Sequence, residues 1–168
     1  MNSKNQFTPH FTLQEFTESA TARKCGIAND PPDEAVANLR SLCIHTLEPL
    51  REALGQPVFI TSGFRCKALN RRIAHHSGKS QHMEGRAADF YVGWNGPEVD
   101  KPSHRERLIK AFRLIITDES IDYDQVILYP SFIHVSFVSR DKNRRRITTA
   151  NGHGTYCAVT RAEALAIV

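Results

Sequence analysis

The sequence predicts an α+β fold in which helices pack on a small, largely antiparallel sheet. Apolar residues recur at helical spacing within residues 36–54 and again within residues 108–115. Two β-rich runs, residues 125–129 and 132–138, are separated only by a Pro-Ser pair, which predicts a hairpin. Because the helical patterns come early and the hairpin comes late, the strands and helices are segregated, as in α+β proteins.

Helix starts are marked by capping signals. Thr12 and Glu15 have the spacing of a capping box, which satisfies free backbone N–H groups at a helix start. Pro31 and Pro32 stand at the predicted start of a longer helix that runs to residue 54, since proline is tolerated in a first turn. Pro49 should kink or split that helix, because proline lacks a donor and crowds the preceding turn.

The remaining elements follow from β-rich runs and one further cap. Residues 58–61 and 87–92 are predicted to be strands. Ser103 is expected to cap a helix that extends through residue 116. A final element is expected within residues 156–168. The length of 168 residues suits a single domain, with a core at about residues 11–138 and a basic C-terminal extension at residues 139–168.

The formal net charge of +4 favours an anionic partner such as nucleic acid, an acidic membrane or an anionic wall polymer. The strongest basic cluster is residues 140–146, which we interpret as a solvated turn after a strand. A nucleic-acid binder interleaves aromatic with basic residues, and this cluster contains no aromatic residue. A nucleic-acid-binding domain is therefore the last of the hypotheses.

The four cysteines form no C-x-x-C pair, which argues against a thiolate zinc site. The first ten residues lack the apolar core of a signal peptide, and no apolar run has the length of a membrane span. We therefore expect a soluble product made in the cytoplasm, unless the sequence has lost a leader. Any role at the cell wall would need a separate exit route, such as phage-type release.

His82, Asp89 and His134 form a candidate metal site. His82 and Asp89 are seven positions apart, and a loop that turns at Gly85 into a strand could bring them together. His134 lies in a strand, where it shares a face with Ser136. Two imidazoles and one carboxylate suit a zinc ion with an open fourth position. Spacing alone is not specific for a metal site, and it favours an ordinary loop histidine at position 82 and a hydrogen-bonded histidine at position 134.

Three segments resemble a known family. They are Ser80-x-His82-x-x-Gly85-x-Ala87-x-Asp89, the strand His134-Val135-Ser136, and the upstream segment Ser62-Gly63-Phe64-Arg65. Together they resemble the zinc D-alanyl-D-alanine carboxypeptidases and dipeptidases, a family that includes phage endolysins and has the Hedgehog signalling domain as a distant relative. The resemblance extends from about residue 11 to residue 137.

The resemblance implies a role for each matching residue. His82, Asp89 and His134 would bind one zinc ion at the sheet. Arg65 would stabilise the oxyanion that forms from the scissile carbonyl. Ser80 would hold the terminal carboxylate or nearby backbone of the substrate. The alternatives are a surface salt bridge for Arg65 and a loop hydroxyl bonded to its own backbone for Ser80.

The sequence departs from the family at the general base. Related enzymes carry an acidic residue a few positions before the last histidine ligand, where this chain has Leu128 and Ser131. Asp124 could serve as the base if the hairpin brings it to the metal, or it could brace the start of the hairpin. Weaker candidates for proton transfer or oxyanion binding are Glu84, His75, His76, His153 and Tyr129.

Two functional hypotheses follow from these residues. The first is a zinc peptidase that hydrolyses peptidoglycan stem peptides, either as a D-Ala-D-Ala carboxypeptidase or as an endolysin-type endopeptidase. The second is a catalytically inactive zinc-binding module that recognises wall peptides or a protein partner, as the missing carboxylate would allow. The sequence does not indicate which bond is cut or which oligomeric state the protein adopts.

Overall fold

A computed structural model describes residues 5–73, 77–151 and 155–167. The α-helices of these ranges are α1 Leu13–Thr17, α2 Ala20–Cys25, α3 Asp33–Leu42, α4 Glu48–Leu54, α5 Lys67–Asn70, α6 His104–Thr117 and α7 Arg161–Leu165. The strands are β1 Gln6–Thr8, β2 Phe11–Thr12, β3 Val58–Ser62, β4 Ala87–Val92, β5 Gln125–Leu128, β6 Ile133–Ser136, β7 Arg146–Ala150 and β8 Tyr156–Ala158. No helix in these ranges has both the length and the apolar character needed to cross a membrane.

The main sheet has six strands in the order β3-β4-β6-β5-β7-β8. Neighbouring strands are antiparallel except β5 and β7, which are parallel. Strands β5 and β6 form the hairpin that the sequence predicts, and β1 and β2 form a separate two-stranded sheet. The predicted fold class, helices with a largely antiparallel sheet, is confirmed.

Helix α6 packs against β4, β5 and α4, and it joins the helices to the sheet. Ser103 caps this helix as predicted, and its side chain accepts from the backbone N–H of Glu106. The residues predicted for its inner face are all buried: Leu108, Ile109, Phe112 and Ile115. Burial of one such side chain contributes about 2 kcal/mol, so this face anchors the helix firmly to the sheet.

The long helix predicted to end at residue 54 is interrupted near Pro49, as expected. Helix α3 ends at Leu42, a π-helical turn covers Cys43–Leu47, and α4 follows with Pro49 in its first turn. Because Pro49 has no N–H, the carbonyl of His45 is free to accept from the backbone N–H of Asp122 at 2.9 Å. The interruption therefore ties the helices to the segment that leads into β5.

The basic cluster at residues 140–146 is a turn between β6 and β7, and its arginine side chains are largely exposed. The interpretation as a purely solvated turn is incomplete. Arg140 and Arg145 both pair with the buried carboxylate of Asp122, and Arg144 pairs with that of Asp124. Because these pairs hold the turn against β5, the next residues continue directly into β7.

Gly85 allows the chain to turn sharply from the segment containing His82 into β4. Its φ of 70° lies in the left-handed region, and a side chain there would overlap the carbonyl oxygen of Ala35 in α3. Gly85→Ala is expected to destabilise the fold by at least about 2 kcal/mol, from backbone strain and overlap together. It should also weaken metal binding, because the turn carrying His82 must move.

Gly55→Ala is the matched control for this prediction. Gly55 has nearly the same φ of 60°, but a side chain there would meet no atom within 4 Å. The control should therefore show the backbone cost alone. Urea unfolding of both variants measures the difference, and equal losses of stability would contradict the close approach of Gly85 to α3.

Candidate metal centre

The turn at Gly85 brings two of the predicted ligands together, one in the turn before β4 and one within β4. Residues Gln81–Glu84 form a single 3-10 turn that carries His82, and Asp89 lies in β4. Asp89 pairs in register with His134 of β6, so the two side chains lie on the same face of the sheet. The predicted route from loop to strand is therefore the route that brings the three residues together.

The three side chains could hold one metal ion. His82 Nε2 lies 3.2 Å from His134 Nδ1 and 3.3 Å from Asp89 Oδ1, and the latter two atoms are 2.8 Å apart. Ligand atoms of a tetrahedral zinc ion, bound at about 2.0–2.1 Å, are separated by about 3.3 Å. Two of the three separations match this value, and a small opening between Asp89 and His134 would bring the third into line.

The imidazole of His82 is held in the orientation that a ligand needs. Its Nδ1–H donates to the carbonyl oxygen of Gly63 at 2.7 Å, and the residue is only 2% exposed. This bond fixes the proton on Nδ1, so that the lone pair of Nε2 faces Asp89 and His134. Such an outer contact is typical of metal-binding histidines.

The charge states of the site also suit a cation. Burial lowers the pKa of His82, although Asp89 opposes this change. Burial would raise the pKa of Asp89, but the charges and hydrogen bonds of His82 and His134 outweigh it and hold the pKa well below its usual value. A neutral imidazole and an ionised carboxylate are the forms that bind a metal.

Arg65 and Ser80 meet beside the triad. The Arg65 guanidinium donates to Ser80 Oγ at 3.3 Å, and the Arg65 backbone N–H donates to the carbonyl of His82 at 3.1 Å. Burial lowers the pKa of Arg65, and the charge of Asp89 opposes this effect. No carboxylate in the described ranges forms an ion pair with Arg65, so its charge is available to a bound molecule.

Asn29 holds the segment that carries Arg65, and sequence reasoning missed it. Its side-chain N–H groups donate to the carbonyls of Phe64 and Thr17, both at 3.0 Å, and its oxygen accepts from the backbone N–H of Cys66 at 2.8 Å. The two contacts on either side of Arg65 fix the backbone beneath the guanidinium. A single asparagine in a loop gives no signal from which this role could be predicted.

Asp124 is fully buried and makes several strong contacts. Its carboxylate accepts from the guanidinium and backbone N–H of Arg144, and from Gln81 Nε2 at 2.9 Å. Burial would raise the pKa of Asp124, but these contacts lower it to about 2. Because Gln81 precedes His82, Asp124 links the hairpin to the turn that carries the first ligand.

A cavity of about 1080 Å³ joins all of these side chains. The predicted residues that line it are Arg65, Ser80, His82, Glu84, Asp89, Asp124, Tyr129 and His134. The Tyr129 hydroxyl donates to that of Tyr156 at 3.1 Å, and burial is the main cause of its raised pKa. His75, His76 and His153 lie outside the described residues.

The donor set, the open cavity and the adjacent cation are the features of a hydrolytic zinc enzyme. A family model described as Peptidase M15 matches residues 9–136, and the chain belongs to this family. The members are zinc peptidases, so membership implies metallopeptidase activity. The resemblance predicted from the sequence motifs is confirmed. No curated protein gives a significant match to the chain.

Proposed function

We propose that the protein is a zinc-dependent peptidase that hydrolyses peptidoglycan stem peptides. The observation that carries this proposal is the convergence of His82, Asp89 and His134 in a cavity large enough for a peptide. When bound, zinc would polarise the scissile carbonyl and lower the pKa of a water molecule toward neutrality. Access to the wall would follow release from the cell, as in phage lysis.

Arg65 and Ser80 are assigned to the substrate. Asn29 and the backbone bond to His82 hold the backbone of Arg65, and Ser80 contacts its guanidinium, so little reorganisation is needed when negative charge develops on the substrate oxygen. Ser80 Oγ accepts from Arg65 and can donate its own proton to a substrate carboxylate or carbonyl.

We assign Asp124 to a bracing role, and Glu84 to proton transfer. A carboxylate with a pKa of about 2 is a poor acceptor near neutral pH, and the oxygens of Asp124 already accept bonds from Arg144 and Gln81. Glu84 lines the same cavity, its side chain is 56% exposed, and its ion pair with Arg86 spans 3.4 Å. Because an exposed ion pair of this length is weak, the carboxylate of Glu84 can turn toward a substrate.

Matched carboxamide variants separate these two roles. Asp124→Asn is expected to lower the free energy of unfolding by about 2 kcal/mol at pH 7, because the buried carboxylate loses its charge-assisted hydrogen bonds from Arg144 and Gln81. The low pKa of Asp124 stabilises the fold above about pH 4 and is lost as pH falls toward 2, so the two proteins should converge in stability there. Glu84→Gln should instead lower kcat and leave the free energy of unfolding within about 0.5 kcal/mol.

Urea unfolding between pH 2 and 7 and steady-state kinetics measure these effects. An Asp124→Asn protein that is as stable as the wild type yet inactive would reverse the assignment and make Asp124 the base. Full activity in Glu84→Gln would remove Glu84 from proton transfer.

Cleavage of purified wall peptides tests the proposed function directly. Mass spectrometry should detect new peptide termini with the zinc-loaded protein, and EDTA should abolish them. The bond that is cut distinguishes a D-Ala-D-Ala carboxypeptidase from an endopeptidase. Stoichiometric zinc without cleavage of any wall peptide would support the second candidate, an inactive module that binds wall peptides or a protein partner.

A further inference from the structure

The cavity continues from the metal centre along one face of the sheet. His134 pairs in register with Ile127 of β5, and Ile127 pairs with Thr148 of β7, so the three side chains lie in one row. Arg146 is two positions before Thr148 on the same face of β7. All four residues line the cavity.

At the β7 end of this row, a buried hydroxyl lacks a hydrogen-bond partner and a guanidinium lacks an ion-pair partner among the described residues. The Thr148 side chain is 2% exposed, and its hydroxyl has no hydrogen-bond partner among the residues described. Arg146 is exposed and forms no ion pair within the described ranges. A buried hydroxyl beside an unpaired guanidinium is the arrangement expected where an anionic group binds.

The surrounding charges favour an anion as well. Lys142, in the turn that leads into β7, also lines the cavity. Asp124 is the nearest acid along the sheet, and its charge is compensated by Arg144. The other acidic residue that lines the cavity outside the triad, Glu84, lies in the turn before β4, and β6 and β5 separate β4 from β7. The β7 end is therefore positive whether or not a metal is bound.

We propose that Arg146 and Thr148 form a subsite for a second carboxylate of the substrate, so that the protein selects acidic peptides. Two strand spacings, about 10 Å, separate Thr148 from His134, and an extended peptide spans this distance with about three residues. Arg65 follows β3, which is on the other side of the triad from β7 in the strand order, and Ser80 is hydrogen-bonded to Arg65. The carboxylate should therefore belong to the second or third residue before the scissile bond.

Paired peptides test this subsite. The subsite rests on the proposed function only for the position that it assigns to the carboxylate relative to the scissile bond. The peptides end in D-Ala-D-Ala and carry glutamate or glutamine at the second or third residue before the scissile bond. Calorimetry with the EDTA-treated protein measures binding where metal-dependent hydrolysis cannot occur. The glutamate peptide should bind roughly 5- to 10-fold more tightly than its glutamine partner, and added salt should reduce the preference.

Arg146→Gln should bring the two dissociation constants within about twofold of each other, and Thr148→Val should reduce the preference in part. Arg23→Gln removes the same charge from an exposed position of α2 outside the cavity, and it should keep the full preference. Equal binding of both peptides by the wild type, or an unchanged preference in Arg146→Gln, would overturn the subsite.

The same peptides with zinc-loaded protein separate this inference from the proposed function. A glutamate preference in binding without any cleavage would uphold the subsite and reject the peptidase. Cleavage of both peptides with equal kcat/KM and equal affinity would uphold the peptidase and reject the subsite.

Discussion

His134→Ala will lose zinc and, with it, all chelator-sensitive cleavage. His134 Nδ1 lies within 3.2 Å of both other ligand atoms, so its removal leaves only His82 and Asp89. Loss of an outer contact to a ligand typically weakens metal binding by about 10- to 100-fold, and loss of a ligand itself should cost at least the upper value. Metal analysis after dialysis and competition with a chromogenic chelator measure the loss.

His104→Ala is the matched control for this variant. His104 is exposed and lies outside the cavity, and its ring donates to the carbonyl of Ser131 and packs near the ring of Tyr91. Zinc at a hundredfold excess over its dissociation constant should stabilise the wild type and His104→Ala by about 2.7 kcal/mol, and should leave His134→Ala unchanged. Stoichiometric zinc in His134→Ala would refute the ligand assignment.

Arg65→Gln is expected to lower kcat by roughly 100- to 1,000-fold, which is the usual effect of removing one oxyanion-stabilising donor. The half-buried guanidinium has no carboxylate partner among the described residues, so its charge is not used in an ion pair that stabilises the fold. KM should change much less than kcat, because the charge develops only as the carbonyl is attacked. Zinc content should remain at one ion per chain.

Arg71→Gln provides the control, since Arg71 is exposed at the end of α5 and does not line the cavity. Its kinetic constants should equal those of the wild type. A fall of less than about threefold in kcat for Arg65→Gln would remove Arg65 from catalysis. A rise in KM of roughly 100- to 1,000-fold for Arg65→Gln, without a fall in kcat, would instead make Arg65 a substrate-binding residue.

Local patterns were sufficient to predict most of the fold. The capping box at Thr12, the cap at Ser103, the break at Pro49 and the hairpin of β5 and β6 each depend on residues close together in the chain. Strand β7 was not predicted, because it begins within a run of arginines that resembles a solvated turn. Its position depends on pairing with β5 and on the ion pairs to Asp122 and Asp124, which are long-range contacts.

For the candidate site, too, local motifs were predictable and long-range contacts were not. The motif around His82 and Asp89 was sufficient to propose the ligands, and the turn at Gly85 explains why they meet. The contacts that hold the site in place could not be predicted, because they join distant parts of the chain. Examples are the bond from His82 to the carbonyl of Gly63 and the contacts of Asn29 on both sides of Arg65.

The central claim is that one zinc ion is bound by these three side chains. A crystal of the zinc-loaded protein, measured at wavelengths on both sides of the zinc absorption edge, tests it most directly. We predict a single strong anomalous peak about 2.0–2.1 Å from His82 Nε2, His134 Nδ1 and an Asp89 oxygen. A peak elsewhere in the protein, or none at this position in a protein that contains stoichiometric zinc, would contradict the claim.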